Sequence, residues 1–77
     1  MAKRLQLYVN PAYDLQLEDV LDELDIHPKW TMAGSNLKIE VNISDKDVEA
    51  VDKQLIGFKK KFQQAQLMYT LTPVFLG

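Results

Sequence analysis

Leu5, Leu7 and Val9 alternate with Arg4, Gln6, Tyr8 and Asn10. This period-two pattern predicts a strand over about residues 3–10 with one aliphatic face and one polar face. Asn10-Pro11 ends it, because proline brings no amide proton to a ladder and asparagine favours turns and caps. From Leu17 the spacing lengthens: Leu17, Val20, Leu21 and Leu24 recur at three- and four-residue steps, which place all four on one side of a helix. Asp14 is the expected cap, and the helix should stop near Asp25 because Pro28 drives His27 toward extended geometry. Lys29-Trp30-Thr31-Met32-Ala33 reads as a short strand and Gly34-Ser35-Asn36 as a hairpin turn. The strictest alternation follows, with Leu37, Ile39, Val41 and Ile43 set against Lys38, Glu40 and Asn42. Ser44 and Asp47 stand at capping-box spacing, and Val48, Val51, Leu55, Phe58 and Phe62 carry a second helix to about residue 62. Residues 66–72 supply the last strand, which Pro73 ends or marks as an edge.

Strand, helix, strand, strand, helix, strand is the order that results. Right-handed crossovers put both helices on the same face of one four-stranded antiparallel sheet, with the first and third strands central and the second and fourth at the edges. The expected fold is therefore an α+β, ferredoxin-like βαββαβ sandwich, occupying residues 1–77 as one domain.

Composition narrows the chemistry. Cysteine is absent from the 77 residues, which excludes disulfides, thiolate metal sites and thiol nucleophiles. A net charge of −2 argues against a general polyanion binder, and no apolar run approaches the roughly 20 residues that span a bilayer. Met-Ala-Lys-Arg leads into an alternating segment and not a continuous apolar one, so the expectation is a cytoplasmic protein with no membrane partner. His27 is the only histidine and stands at a helix end; Ser35 and Ser44 have turn and cap explanations; Gly34, Gly57 and Gly77 are isolated and form no phosphate loop. No enzymatic activity, metal or cofactor is expected.

Several groups suit a role in recognition. Residues 14–25 hold Asp14, Glu18, Asp19, Asp22, Glu23 and Asp25 with no base among them, six of the chain's eleven acids. Such a face meets a basic partner by electrostatic steering, or is the solvated side of an amphipathic helix. Lys59, Lys60 and Lys61 complement the carbonyl end of the second helix, as Asp45, Asp47 and Glu49 complement its start. Val74, Phe75 and Leu76 form an apolar tail that either folds back over the helices or meets a second molecule. Trp30 and Met68, on or near the sheet, are further contact candidates, and Gly57 in mid-helix points to close packing, either by the first helix or by a partner.

In Leu7-Tyr8-Val9-Asn10 an aromatic sits between aliphatics on a central strand, facing away from the helices. This resembles part of the first short motif of the RNA-recognition-motif family, in which such an aromatic stacks on a base. The resemblance covers those four residues and the strand order; the third strand carries Lys38 and Glu40 where that family places further aromatics. Against the ferredoxin-like enzyme acylphosphatase, whose first loop is a glycine-flanked arginine loop, the chain has Asn10-Pro11-Ala12-Tyr13. Three readings result. The first is a non-enzymatic protein-interaction module, regulatory or inhibitory, using Tyr8, Trp30, Met68, the tail Val74, Phe75 and Leu76, or the acidic set Glu18, Asp19, Asp22 and Glu23, with itself as one possible partner in a homodimer. The second is a single-stranded nucleic-acid binder using Arg4, Tyr8, Lys38 and Lys59 to Lys61. The third is a small-ligand regulatory domain formed at a dimer interface.

Overall fold

Alternation in the first strand becomes a division between two faces. In the computed structural model, which describes residues 2–74, Leu5, Leu7 and Val9 are fully buried while Arg4, Gln6 and Tyr8 line the other side. That strand, β1 (Lys3–Val9), is followed by α1 (Asp14–Glu23), β2 (Thr31–Ala33), β3 (Asn36–Ile43), α2 (Asp45–Lys61) and β4 (Met68–Pro73). The strands lie in the order β2-β3-β1-β4 with every neighbouring pair antiparallel. Leu17 and Leu21 of α1 and Val51, Leu55 and Phe58 of α2 share one core with Leu5, Leu7, Val9, Ile39 and Ile43, so both helices cover the same face. This is the ferredoxin-like sandwich, its two most aliphatic strands at the centre where burial rewards them most.

The element ends differ in detail from the sequence reading, each for a local reason. Asn10 does more than break β1: its Oδ1 accepts the Ala12 N–H at 3.0 Å and so caps a 3₁₀ turn, Pro11–Tyr13, that runs straight into α1. Asp14 is thus the first helical residue and not the cap, and it places a negative charge at the amide end of the helix dipole. At the other end α1 stops before Pro28 can act. Asp25 takes a left-handed conformation (φ 57°), its N–H donates to the Asp22 carbonyl at 3.0 Å, and the Ile26 N–H donates to the Leu21 carbonyl at 2.9 Å. These two bonds are the Schellman pattern, and Ile26 and Leu21, both buried, close it with an apolar contact.

Trp30 lies just ahead of β2 and not within it. Gly34 (φ 63°) and Ser35 form a two-residue hairpin loop of the type II′ kind, where glycine at the first position accepts positive φ without a side-chain clash. Ser44 precedes α2, but the short Asp47 side chain does not reach back to the Ser44 amide as a capping box requires. Instead the Ser44 hydroxyl donates to Asp47 Oδ2 at 2.8 Å. After α2 a 3₁₀ turn, Gln63–Ala65, and left-handed Gln66 (φ 54°) delay β4 to Met68. The Asn10 N–H donates to the Ala65 carbonyl at 2.9 Å, tying together the two connections at this end of the sheet.

Tyr69, on the helix-facing side of edge strand β4, supplies a tie that sequence reading missed. Its hydroxyl donates to Asp52 Oδ1 of α2 at 2.5 Å. Burial first, then the hydrogen bond and the Asp52 charge, push the Tyr69 phenol from 10.0 up to about 12. A folded-state value above the unfolded one means that this group's contribution to stability is full below pH 10 and is lost as pH rises toward 12. Denaturant titrations should show this alkaline loss in the natural protein and a smaller one in Tyr69→Phe; identical pH slopes would remove the Tyr69–Asp52 bond as a stabilising link.

Candidate functional site

The open face of the sheet is mostly polar. One row across it runs Thr31, Lys38, Tyr8, Met68; the next runs Glu40, Gln6, Thr70; the third runs Asn42, Arg4, Thr72. Tyr8 and Met68 are therefore cross-strand neighbours, as an interaction patch on this face requires, and Met68 is strongly exposed. Lys38 Nζ lies 5.6 Å from the centroid of the Tyr8 ring and 2.9 Å from Glu40 Oε1. The hydrogen bond and charge of Glu40 raise the Lys38 ammonium above its ordinary range, and Lys38 lowers the Glu40 carboxyl in return. Tyr8 is thus already engaged by a cation that is itself engaged by a carboxylate.

The nucleic-acid set does not come together. Arg4, Tyr8 and Lys38 occupy the open face, whereas Lys59, Lys60 and Lys61 form the last turn of α2 on the covered side. A strand following one group would have to pass around the sheet edge to meet the other. Lys61 instead stands over the Phe62 ring, 5.3 Å from its centroid.

Of the remaining candidates, Trp30 packs partly buried against the core, beside Glu18, Asp22 and His27. His27 is held between two carboxylates, with Nδ1 3.2 Å from Asp22 Oδ1 and Nε2 3.0 Å from Asp25 Oδ1. Val74 continues the β1–β4 ladder, its N–H donating to the Ala2 carbonyl at 3.1 Å. Phe75 and Leu76 lie outside the described residues.

Beyond Asp14 at its first position, the acids of α1 divide into two pairs, each with its members one turn apart. Glu18 and Asp22 face the Trp30 side, while Asp19 and Glu23 form the α1 wall of a groove between the two helices. Val20, Phe58 and Phe62 provide the apolar surface of this groove, Gly57 and Lys61 lie along its α2 wall, and its volume is about 420 Å³. Phe62 in turn packs against Tyr13, ring centroids 5.8 Å apart. Gly57 is not where the helices meet tightly, which removes the first of the two causes expected for it: outside its own helix, a Cβ built on it finds nothing within 4 Å. Gly57 lines the groove, and the space its side chain would take is left open.

Neither protein-family models nor curated proteins give any match to this sequence. Among the described residues no polar or charged side chain is buried, and no group of three or more His, Asp or Glu side chains is placed to hold a metal ion. Among the described residues, too, no helix is long and apolar enough to cross a membrane. The groove combines shape, apolar surface and an acidic α1 wall that faces Lys61. The acids that form its wall were visible in the sequence; its existence was not, because it depends on how far apart two helices lie.

Proposed function

We propose that the protein is a small non-enzymatic protein-interaction module, a cytoplasmic regulatory or inhibitory accessory factor, which receives a basic amphipathic segment of its partner in the groove between α1 and α2. The observation that carries this reading is Gly57. Glycine inside a helix costs about 1 kcal/mol relative to alanine, and no close approach within the fold requires it at this position. What its missing side chain does provide is an open groove beside Val20, Phe58 and Phe62. The partner's charge follows from the balance of the groove: Asp19 and Glu23 line it with Glu18 and Asp22 on the flank beyond, and these four carboxylates outweigh Lys61 on the opposite wall. Lysines or arginines beside an apolar stripe would meet these carboxylates while the stripe covers the groove floor.

A protein segment is favoured over a small ligand because such ligands are oriented by convergent buried polar groups, and the groove contributes none. The reading is tested by calorimetric titration with two helical peptides that share one leucine stripe, one flanked by lysines and the other by glutamates. Binding of the lysine peptide that weakens as salt rises, with no heat from the glutamate peptide, is expected. Equal binding of both, or of neither, would contradict the proposal.

A further inference from the structure

The two edges of the sheet are protected very differently. β2 is three residues long, beside Lys29 and Lys38, so little of it is available to another strand. β4 is six residues long, and residues 62–77 contain no Asp, Glu, Lys or Arg in a chain that is 26% charged. Natural edge strands usually carry such charges to prevent pairing with another chain.

Hydrogen-bond parity identifies which groups of β4 face outward. The Val74 N–H points to β1, where it meets the Ala2 carbonyl, so the N–H groups of Thr72, Thr70 and Met68, two, four and six residues back, point the same way. The backbone groups of Tyr69, Leu71 and Pro73 consequently point away from the sheet. Proline has no N–H to offer, which leaves Tyr69 and Leu71 as outward donors. Exposed apolar side chains flank them on both faces. Met68 is 60% exposed on the open side; Ile56, 42% exposed, lies on α2 one turn beyond Asp52, the residue that holds Tyr69.

We infer that two copies of the chain associate edge to edge through β4, the strands antiparallel and related by a two-fold axis at Thr70, giving a continuous eight-stranded sheet. Centring on Thr70 sets Tyr69 opposite the partner's Leu71 in a pair that exchanges both backbone hydrogen bonds, so every outward donor is used and Pro73 stays outside the paired segment. It also keeps the helices of both copies on one face, because opposed residues then share the same side of the pleat. A second copy is the occupant the charges select. The edge is neutral and meets an identical neutral edge, so no like charges are opposed in an acidic protein and no charged partner finds a counter-ion. This association is independent of what occupies the helix groove.

Sedimentation equilibrium and amide hydrogen exchange test it together. Mass should rise toward twice the monomer value with concentration. When nine-tenths of the chains are paired, exchange at Tyr69 and Leu71 should slow about tenfold. Thr70 is exposed and directly opposes its own copy, so Thr70→Lys should leave circular dichroism unchanged and give a monomer. Mixing Thr70→Lys with Thr70→Glu should restore the paired mass. A natural protein that stays monomeric at millimolar concentration would overturn the inference. So would a dimer that survives Thr70→Lys without protection at Tyr69 and Leu71, whether it forms through the groove or through residues 75–77.

Discussion

Truncating Leu7 to alanine should cost about 2–5 kcal/mol of folding stability, whereas Tyr8→Ala, one residue along the same strand, should cost about 1 kcal/mol or less. Leu7 is completely buried on the helix-facing side of a central strand, and alanine there leaves a cavity in the core that the sheet shares with both helices. Tyr8 lies on the uncovered side, where the truncation loses a cation contact from Lys38 and some cross-strand packing with Met68, and water takes the vacated space. Small domains have only several kcal/mol of net stability, so Leu7→Ala should leave a measurable unfolded population at 25 °C in urea titrations while Tyr8→Ala remains folded. Similar losses from the two would mean that the sheet does not have one covered face and one open one.

Gly57 carries the second large expectation, and its sign is unusual. Gly57→Ala should raise stability by about 1 kcal/mol, because the new methyl group meets nothing within 4 Å and the helix gains propensity. Gly57→Leu should fold as well, yet its side chain would occupy the space that the groove offers a partner, weakening docking at least about tenfold. Stability and binding thus move in opposite directions at one residue, which separates a blocked groove from a damaged fold. If Gly57→Leu bound as tightly as the natural protein, the groove would not be the docking surface.

Much of the architecture could be read from the spacing of apolar residues, because in β1 and β3 every second residue faces the helices and in α1 and α2 the three- and four-residue steps mark the buried stripe. Those choices are local. The details that went astray depend on contacts remote in sequence or on backbone geometry that spacing does not encode. Asp25 adopts the left-handed state that usually marks glycine, so the Schellman end of α1 left no glycine signal. The Tyr69–Asp52 bond joins residues 17 apart in sequence and on different layers. Gly57 suggested close approach of α1 or of a partner, and the open space around its missing Cβ, which rules out the first, is set by a neighbour remote in sequence.

The same limit governs the candidate site. The acidic run of α1 was plain in the sequence, but its division into a Glu18–Asp22 side and an Asp19–Glu23 groove wall depends on which neighbour each side of the helix meets. Tyr8 and Met68 could each be assigned to the sheet, and only the β1–β4 register sets them side by side. Arg4, Tyr8 and Lys38 looked compatible with Lys59 to Lys61 as one basic surface; the sheet separates them.

Backbone amide shifts recorded while the lysine-flanked amphipathic peptide is added test the docking claim most directly. The account predicts shifts concentrated at Asp19, Val20, Glu23, Gly57 and Phe58, saturating with the calorimetric isotherm and absent in Gly57→Leu. Shifts concentrated instead at Tyr8, Lys38 and Met68 would place recognition on the open sheet face and contradict it.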